Sequence, residues 1–151
     1  MHTKHLETEI GIETLKTVLL PGIIITGGYR DRINENLAEA FNPMTKGTCS
    51  VDHLVHPRGG HTFCNNMVCG GTFFNPEAYK SCERFDSRTS SFNLLPVKLV
   101  ERRVNHLCWG LKSGDVLLIG GWGQRRSPNT ERVSRDGSSS SLDFKLPYRI
   151  L

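Results

Sequence analysis

The sequence predicts an all-β protein that repeats one four-stranded antiparallel unit about three times. Three kinds of marker recur along the 151 residues. They are a short apolar run that ends in two glycines, a glutamate about a dozen positions later, and an Arg-x-x-His motif between the units. Because these independent markers agree on one period of about 45 residues, we interpret them as a repeat architecture.

Each glycine pair is predicted to end a buried strand. The apolar runs are Ile23 to Thr26, Asn66 to Cys69 and Val116 to Ile119, and they end at Gly27-Gly28, Gly70-Gly71 and Gly120-Gly121. Glycine admits positive φ and the close approach of a neighbouring backbone. We therefore assign these six glycines a structural role at tight turns.

The other strands of each unit follow from turn and motif positions. The next strands are predicted around Ala38 to Phe41, Cys82 to Phe85 and Glu131 to Ser134, and they include the repeated Glu39, Glu83 and Glu131. Asx-containing turns follow at Asn42 and Asp86, because these side chains cap their own backbone, and Asp136-Gly137 stands in the third place. The last strands are predicted at Cys49 to Val51, Phe92 to Leu94 and Leu142 to Leu146.

The strands after Arg58-x-x-His61 and Arg103-x-x-His106 are predicted at Thr62 to Cys64 and Leu107 to Leu111. They complete four strands per unit, as in a propeller blade.

Together, the glycine pairs, Glu-x-apolar-Asx and Arg-x-x-His at fixed offsets resemble kelch repeats of the galactose oxidase/kelch superfamily. The resemblance covers residues 15–151 and implies a kelch-type β-propeller with approximate blades 15–51, 61–95 and 104–146. Residues 147–151 would start a further blade, and residues 1–14 form a preceding segment with no assigned structure. The family's tryptophan on the outer strand is absent, and Phe92 takes its place in the second unit.

About three blades make an incomplete ring, because propellers close with typically about four to eight blades. An open arc leaves sheet faces uncovered, which favours assembly or aggregation. We therefore expect the chain to be a fragment of a longer propeller, or to pair with further blades or with itself.

Charge and hydropathy argue against two classes of partner. The net charge is +4, but the basic residues do not gather on one stretch with interleaved aromatics, so we expect no nucleic-acid binding. No segment reaches the roughly eighteen uninterrupted apolar residues of a membrane span. The N-terminus lacks the basic-then-apolar order of a secretory signal. The compartment stays open between cytoplasmic and extracellular.

Five cysteines leave at least one without an intrachain disulfide partner, and they are Cys49, Cys64, Cys69, Cys82 and Cys108. Cys69 ends one predicted strand and Cys82 begins its antiparallel neighbour, within disulfide range. In a reducing compartment both would instead be small buried apolar residues. The alternative of a zinc site at His61, Cys64, Cys69 and Cys82 does not match a short Cys-x-x-Cys knuckle, and we expect neither metal nor cofactor.

The two repeated histidines, His61 and His106, suggest structure rather than catalysis. A residue that recurs in each unit is expected to hydrogen-bond a neighbouring strand or turn. No Ser-His-Asp trio or Gly-x-Ser-x-Gly elbow stands out. Some relatives of the kelch fold are copper radical oxidases, but the tyrosines Tyr29, Tyr79 and Tyr148 match no such arrangement. We expect no enzyme activity from this chain.

The loops after the glycine pairs are the predicted binding surface, because they emerge on one face of a propeller. They carry Tyr29, Arg30, Arg32, Phe73, Phe74, Tyr79, Trp122, Arg125 and Arg126. Aromatic residues and arginine are enriched at interface hot spots. We expect an interaction scaffold for a protein, with an acidic segment as the favoured partner. The alternatives are a piece of an extracellular adhesion or matrix-type kelch protein, or of a propeller enzyme whose catalytic residues lie elsewhere.

Overall fold

The computed structural model describes residues 22–31, 33–72, 80–123 and 129–145, and regular structure within these ranges consists of antiparallel β-strands. The prediction of an all-β protein is therefore confirmed. The described residues form three sheets in chain order and a small hairpin. They include no helix with the length and apolarity that crossing a membrane requires.

Sheet I has three described strands. It comprises β1 (Ile23–Thr26), β4 (Ala38–Asn42) and β5 (Gly47–Ser50), in the order β1-β4-β5. Residues 15–21, which the sequence assigned to the start of this unit, lie outside the described residues. The segment between β1 and β4, expected to be a plain loop, contains a hairpin of β2 (Tyr29–Arg30) and β3 (Ile33–Asn34).

Sheets II and III each have four strands in sequence order, which confirms the predicted four-stranded antiparallel unit for both. Sheet II comprises β6 (Thr62–Cys64), β7 (Met67–Cys69), β8 (Ser81–Asp86) and β9 (Ser91–Lys98). Sheet III comprises β10 (Leu107–Gly110), β11 (Val116–Ile119), β12 (Asn129–Val133) and β13 (Ser139–Lys145).

Sheet II lies between the other two, because alternate side chains of a strand point to opposite faces. Val68 and Phe85 on one face pack with Ala38 of sheet I, whereas Met67 on the other face packs with Val116 of sheet III. We call the face of a sheet that is turned toward the preceding sheet in the chain its leading face, and the opposite one its trailing face. The two apolar clusters thus join trailing face to leading face, first between sheets I and II and then between sheets II and III.

Phe92, on the outer strand of the second predicted unit, belongs to the first of these clusters. Phe92 is buried, and its ring centroid lies 5.0 Å from that of Phe85 and 6.3 Å from that of Phe63. Aromatic pairs at these separations add to the stability that area burial provides. Phe92 therefore anchors the outer strand β9 on the leading face of sheet II.

The two outermost faces of the stack are exposed among the described residues. Ile23 and Ile25 on the leading face of sheet I are 56% and 59% exposed, and Leu107 and Trp109 on the trailing face of sheet III are 55% and 66% exposed. The prediction that every glycine-terminated run is a buried strand is therefore wrong for β1. It is correct for β7, whose three residues are all buried between neighbouring sheets.

Candidate functional site

A fully buried ion pair joins the segment before sheet II to the third strand of that sheet. Arg58 Nε donates to Glu83 Oε1 at 3.0 Å and Arg58 Nη2 donates to the same oxygen at 2.9 Å, with neither side chain exposed. Arg58 Nη1 also donates to the carbonyls of Gly70 at 2.6 Å and Ser81 at 3.0 Å. The Glu83 carboxylate accepts a further bond from the Val55 amide at 2.7 Å. Both charges are thus satisfied by hydrogen bonds, as buried charges must be.

Sheet III repeats this arrangement. Arg103 Nε donates to Glu131 Oε2 at 3.2 Å in complete burial, and Arg103 Nη1 donates to the carbonyls of Gly120 at 2.7 Å and Asn129 at 3.0 Å. The Val100 amide donates to the Glu131 carboxylate at 2.6 Å. Both the repeated arginine and the repeated glutamate are visible in the sequence, but their pairing was not predicted. Their shared period was the signal that could have indicated it.

Burial and pairing act on the arginine in opposite directions. Burial lowers the pKa of Arg58, and the Glu83 carboxylate raises it in part. A guanidinium starts from so high a pKa that it stays charged at physiological pH. The pair therefore joins the segment before the sheet, which we call the linker, to the sheet itself. We call such a buried Arg-Glu pair a clamp.

The histidines of the Arg-x-x-His motifs reach back to the preceding sheet, which confirms the predicted structural hydrogen bond. His61 Nε2 lies 2.8 Å from Thr26 Oγ1 of sheet I, and His106 Nε2 lies 2.7 Å from Thr62 Oγ1 of sheet II. Each motif thus binds two neighbouring sheets, through its arginine to the following one and through its histidine to the preceding one.

Both histidines are held in the neutral form. Burial, together with the neighbouring positive charge of Arg58, lowers the pKa of His61 to about 4. Burial lowers the pKa of His106 to about 3, with Arg103 acting in the same direction. At neutral pH each ring can therefore bond a threonine hydroxyl without the cost of burying a charge.

The first two glycine pairs touch the Arg-x-x-His motif of the next sheet, which explains why the two markers recur together. Gly71 N donates to the Arg103 carbonyl at 2.8 Å. Gly70 has φ +63, and a Cβ there would stand 2.5 Å from that same oxygen. All six glycines assigned a structural role have positive φ: Gly27, Gly28, Gly70, Gly71, Gly120 and Gly121. A side chain at Gly70 would force the motif away from the turn.

Two disulfides involve sheet II. Cys69 and Cys82, on adjacent strands, are bonded with Cα atoms 4.2 Å apart. Cys64 and Cys108, separated by 44 residues and joining sheet II to sheet III, are bonded with Cα atoms 6.3 Å apart. Cys49 is partly buried and in neither bond. The three cysteines of the zinc alternative are therefore all bonded to other cysteines in this structure.

Sequence reasoning missed the disulfide between the sheets, although the chain carries a signal for it. Cys64 follows His61 by three positions, whereas Cys108 follows His106 by two. Because side chains alternate along a strand, this difference of one places the two cysteines on opposite faces of equivalent strands. Stacking of the sheets then turns the two faces toward each other.

Of the predicted binding residues, the structure describes three. Tyr29 is 48% exposed, Trp122 is 40% exposed, and the Arg30 side chain is 69% exposed with Nε 3.5 Å from Glu35 Oε1. The others, Arg32, Phe73, Phe74, Tyr79, Arg125 and Arg126, lie outside the described residues. The Tyr29 ring lies against Gly59, where a Cβ would overlap its carbon atoms.

Backbone contacts place Tyr29 and Trp122 along one edge of the stacked sheets. Thr72 N donates to the Gly59 carbonyl at 2.5 Å, and Asn105 N donates to the Gly60 carbonyl at 2.7 Å. Trp122 and Val104 exchange two backbone hydrogen bonds at 2.7 and 2.8 Å. We call this row, which comprises Tyr29, Arg30, Gly59, Gly60, Thr72, Val104, Asn105 and Trp122, the loop edge. The turns at 43–46 and 87–90 lie at the opposite ends of the strands.

No protein-family model matches the chain, and no curated protein sequence matches it either. The four-stranded antiparallel sheets are compatible with a propeller-like fold.

Proposed function

We propose that this chain is a set of kelch-type propeller blades that serves as a protein-interaction scaffold and binds its partner through the loop edge. The observation that carries the proposal is the placement of Tyr29 and Trp122, both about half exposed, on one edge of the stacked sheets. The buried Arg-Glu pairs and the backbone contacts at Gly59 and Val104 support a rigid platform beneath them. Rigid aromatic side chains lose little conformational entropy on binding.

Charge favours an acidic segment as the partner. Arg30 is exposed, and its contact with Glu35 is long, so its guanidinium is accessible to a carboxylate. The sequence carries Arg32, Arg125 and Arg126 in the same loops. Arginine forks pair well with carboxylates, and aromatic anchors supply the apolar contact.

A photo-crosslinking residue at Trp122 tests this proposal. We expect a benzoylphenylalanine at this position to crosslink a partner protein in its own cells, and an excess of unmodified chain to suppress the crosslink. The matched control is the same residue at Met44, which is 88% exposed but lies in the turn after β4, away from the loop edge. Crosslinks that form equally at Met44, or at neither position, would contradict the proposal.

A second candidate, a piece of an extracellular adhesion or matrix-type kelch protein, is favoured by the two disulfides. Stable disulfides belong to oxidising compartments and are rare in the cytosol. Non-reducing peptide mapping of protein taken from its own cells, alkylated at lysis, tests it. We expect the Cys64–Cys108 and Cys69–Cys82 peptides to be linked and Cys49 to be alkylated. Five alkylated cysteines would overturn this candidate and leave the intracellular scaffold.

A further inference from the structure

The leading face of sheet I carries a glutamate, Glu39, at the position where the other two sheets have a buried glutamate. Glu39 pairs across the strands with Ile25 as Glu83 pairs with Val68 in sheet II. Glu83 is fully buried, whereas Glu39 is exposed. Glu39 is thus the counterpart of the two clamp glutamates but has no ionic or hydrogen-bonded partner among the described residues.

Two backbone carbonyls complete the vacant counterpart of the clamp. In sheet II, Gly70 N donates to the Ser81 carbonyl at 3.1 Å, and the carbonyls of Gly70 and Ser81 both accept hydrogen bonds from Arg58. In sheet I, Gly27 N donates to the Leu37 carbonyl at 2.8 Å in the same way. These two residues and Glu39 line one shallow depression on the exposed face. We call the Glu39 carboxylate with the Gly27 and Leu37 carbonyls the open clamp site.

The chemistry of the open clamp site selects a guanidinium. In each of the two occupied clamps, one carboxylate and two carbonyls accept three N–H groups from one arginine. A lysine has a single ammonium and cannot present the planar fork. The surrounding Ile23 and Ile25 add apolar surface that only another apolar face would cover favourably.

The trailing face of sheet III has the complementary features. Leu107 and Trp109 are exposed, and they pair with Ile119 and Leu117 on the same face of adjacent strands. In each of the two interfaces within the chain, the sheet that provides the trailing apolar face is followed in sequence by an arginine. That arginine binds the clamp glutamate of the next sheet. The sequence places Arg149 after sheet III, forty-six positions beyond Arg103.

We propose that the leading face of sheet I binds the trailing face of sheet III of a second copy of this chain, with Arg149 of the partner subunit in the open clamp site. The interface then repeats the chemistry of the two interfaces within one chain. Each copy offers both faces, so two copies close a head-to-tail ring. Six sheets fall within the typical range of propeller rings.

Sedimentation equilibrium of the full chain across a concentration series tests the assembly. We expect a dimer, and we expect Glu39→Gln and Arg149→Gln each to raise its dissociation constant about tenfold or more, because each leaves a buried charge without its partner. Arg88→Gln is the matched control, since the Arg88 side chain is 89% exposed on a turn. An unchanged circular dichroism spectrum shows that the variants fold.

Mixing the two variants separates a lost contact from a damaged fold. In a heterodimer of Glu39→Gln with Arg149→Gln, one of the two interfaces keeps both Glu39 and Arg149. We therefore expect the mixture to associate more tightly than either variant alone. A monomeric wild-type chain, a dimer that Glu39→Gln leaves unchanged, or a mixture that associates no better than its components would each overturn the proposal. Sedimentation uses the purified chain without a partner protein, so its result is independent of whether Trp122 crosslinks a partner in cells.

Discussion

The Arg58 guanidinium lies 2.9 Å from the Glu83 carboxylate, and both side chains are fully buried. The two residues are 25 positions apart, one in the linker before sheet II and the other in the third strand of that sheet. The same contact recurs between Arg103 and Glu131 in sheet III. In sheets II and III, one buried ion pair thus ties the segment before the sheet to the sheet itself.

Removing one partner of this clamp is expected to destabilise the chain strongly. Glu83→Gln preserves the shape of the side chain but leaves the Arg58 charge buried and uncompensated. We expect a loss of about 3–5 kcal/mol in the free energy of unfolding, measured by urea denaturation.

The exposed ion pair between Asp86 and Arg88 provides the control for this variant. Its atoms are 3.3 Å apart, and the Arg88 side chain is 89% exposed. Exposed pairs of this kind contribute little to stability because solvent screens them, so Asp86→Asn should have a small effect. Equal destabilisation by the two variants would show that the buried clamp has no special role.

Gly70 is expected to tolerate no side chain. Gly70→Ala combines a strained φ of +63 with a Cβ that would lie 2.5 Å from the Arg103 carbonyl. Gly28→Ala carries only the backbone strain, because φ is +113 and nothing lies within 4 Å of its Cβ. Thermal denaturation should show a loss of about 1–3 kcal/mol for Gly28→Ala and a clearly larger one for Gly70→Ala. The reverse order would contradict the contact between the glycine turn and the Arg-x-x-His motif.

The neutral histidines predict a loss of stability in mild acid. Their pKa values of about 4 for His61 and about 3 for His106 lie below the unfolded value near 6.5. Protons therefore bind the unfolded chain first, so the stability that the neutral rings contribute is present above pH 6.5 and falls as the pH drops toward 4. Between pH 7 and pH 5 we expect a loss on the order of 2 kcal/mol for each histidine.

Urea denaturation across this pH range measures the effect, and the His61→Gln/His106→Gln variant is the control. Glutamine can still bond the threonine hydroxyls but does not titrate, so its stability should change much less between pH 7 and pH 5. The lowered pKa values of Asp86, Asp115 and Asp136 affect stability only at lower pH, near and below 3.8. A wild-type chain with constant stability from pH 7 to pH 5 would contradict the buried, neutral state of these rings.

Local pattern was sufficient to predict the repeated unit and its turns. The strand-forming runs, the glycine pairs and the Asx turns are read within a few residues, and the structure places strands at each of the described runs. The pairing of Cys69 with Cys82 could be predicted for the same reason, since the two residues lie on neighbouring strands of one hairpin. The hairpin of Tyr29 with Asn34 was not foreseen, because its two-residue strands are too short for a periodic signal.

The sequence pattern did not predict which side chains of neighbouring sheets contact one another. The runs that contain Ile25 and Val68 look alike in sequence, yet one is exposed and the other is fully buried. The pattern indicates that a strand has an apolar face, but it does not indicate which part of the protein covers that face. Likewise, the disulfide of Cys64 with Cys108 depends on two faces meeting across 44 residues of chain.

The sequence by itself determined the all-β class, the length of the repeat and the residues that mark it, because strand periodicity and turn chemistry act between near neighbours. Only the tertiary structure decided that Arg58 binds Glu83, that His61 reaches back to Thr26, and which sheet faces are covered. These contacts form when sheets stack, and stacking brings together side chains that no local spacing relates.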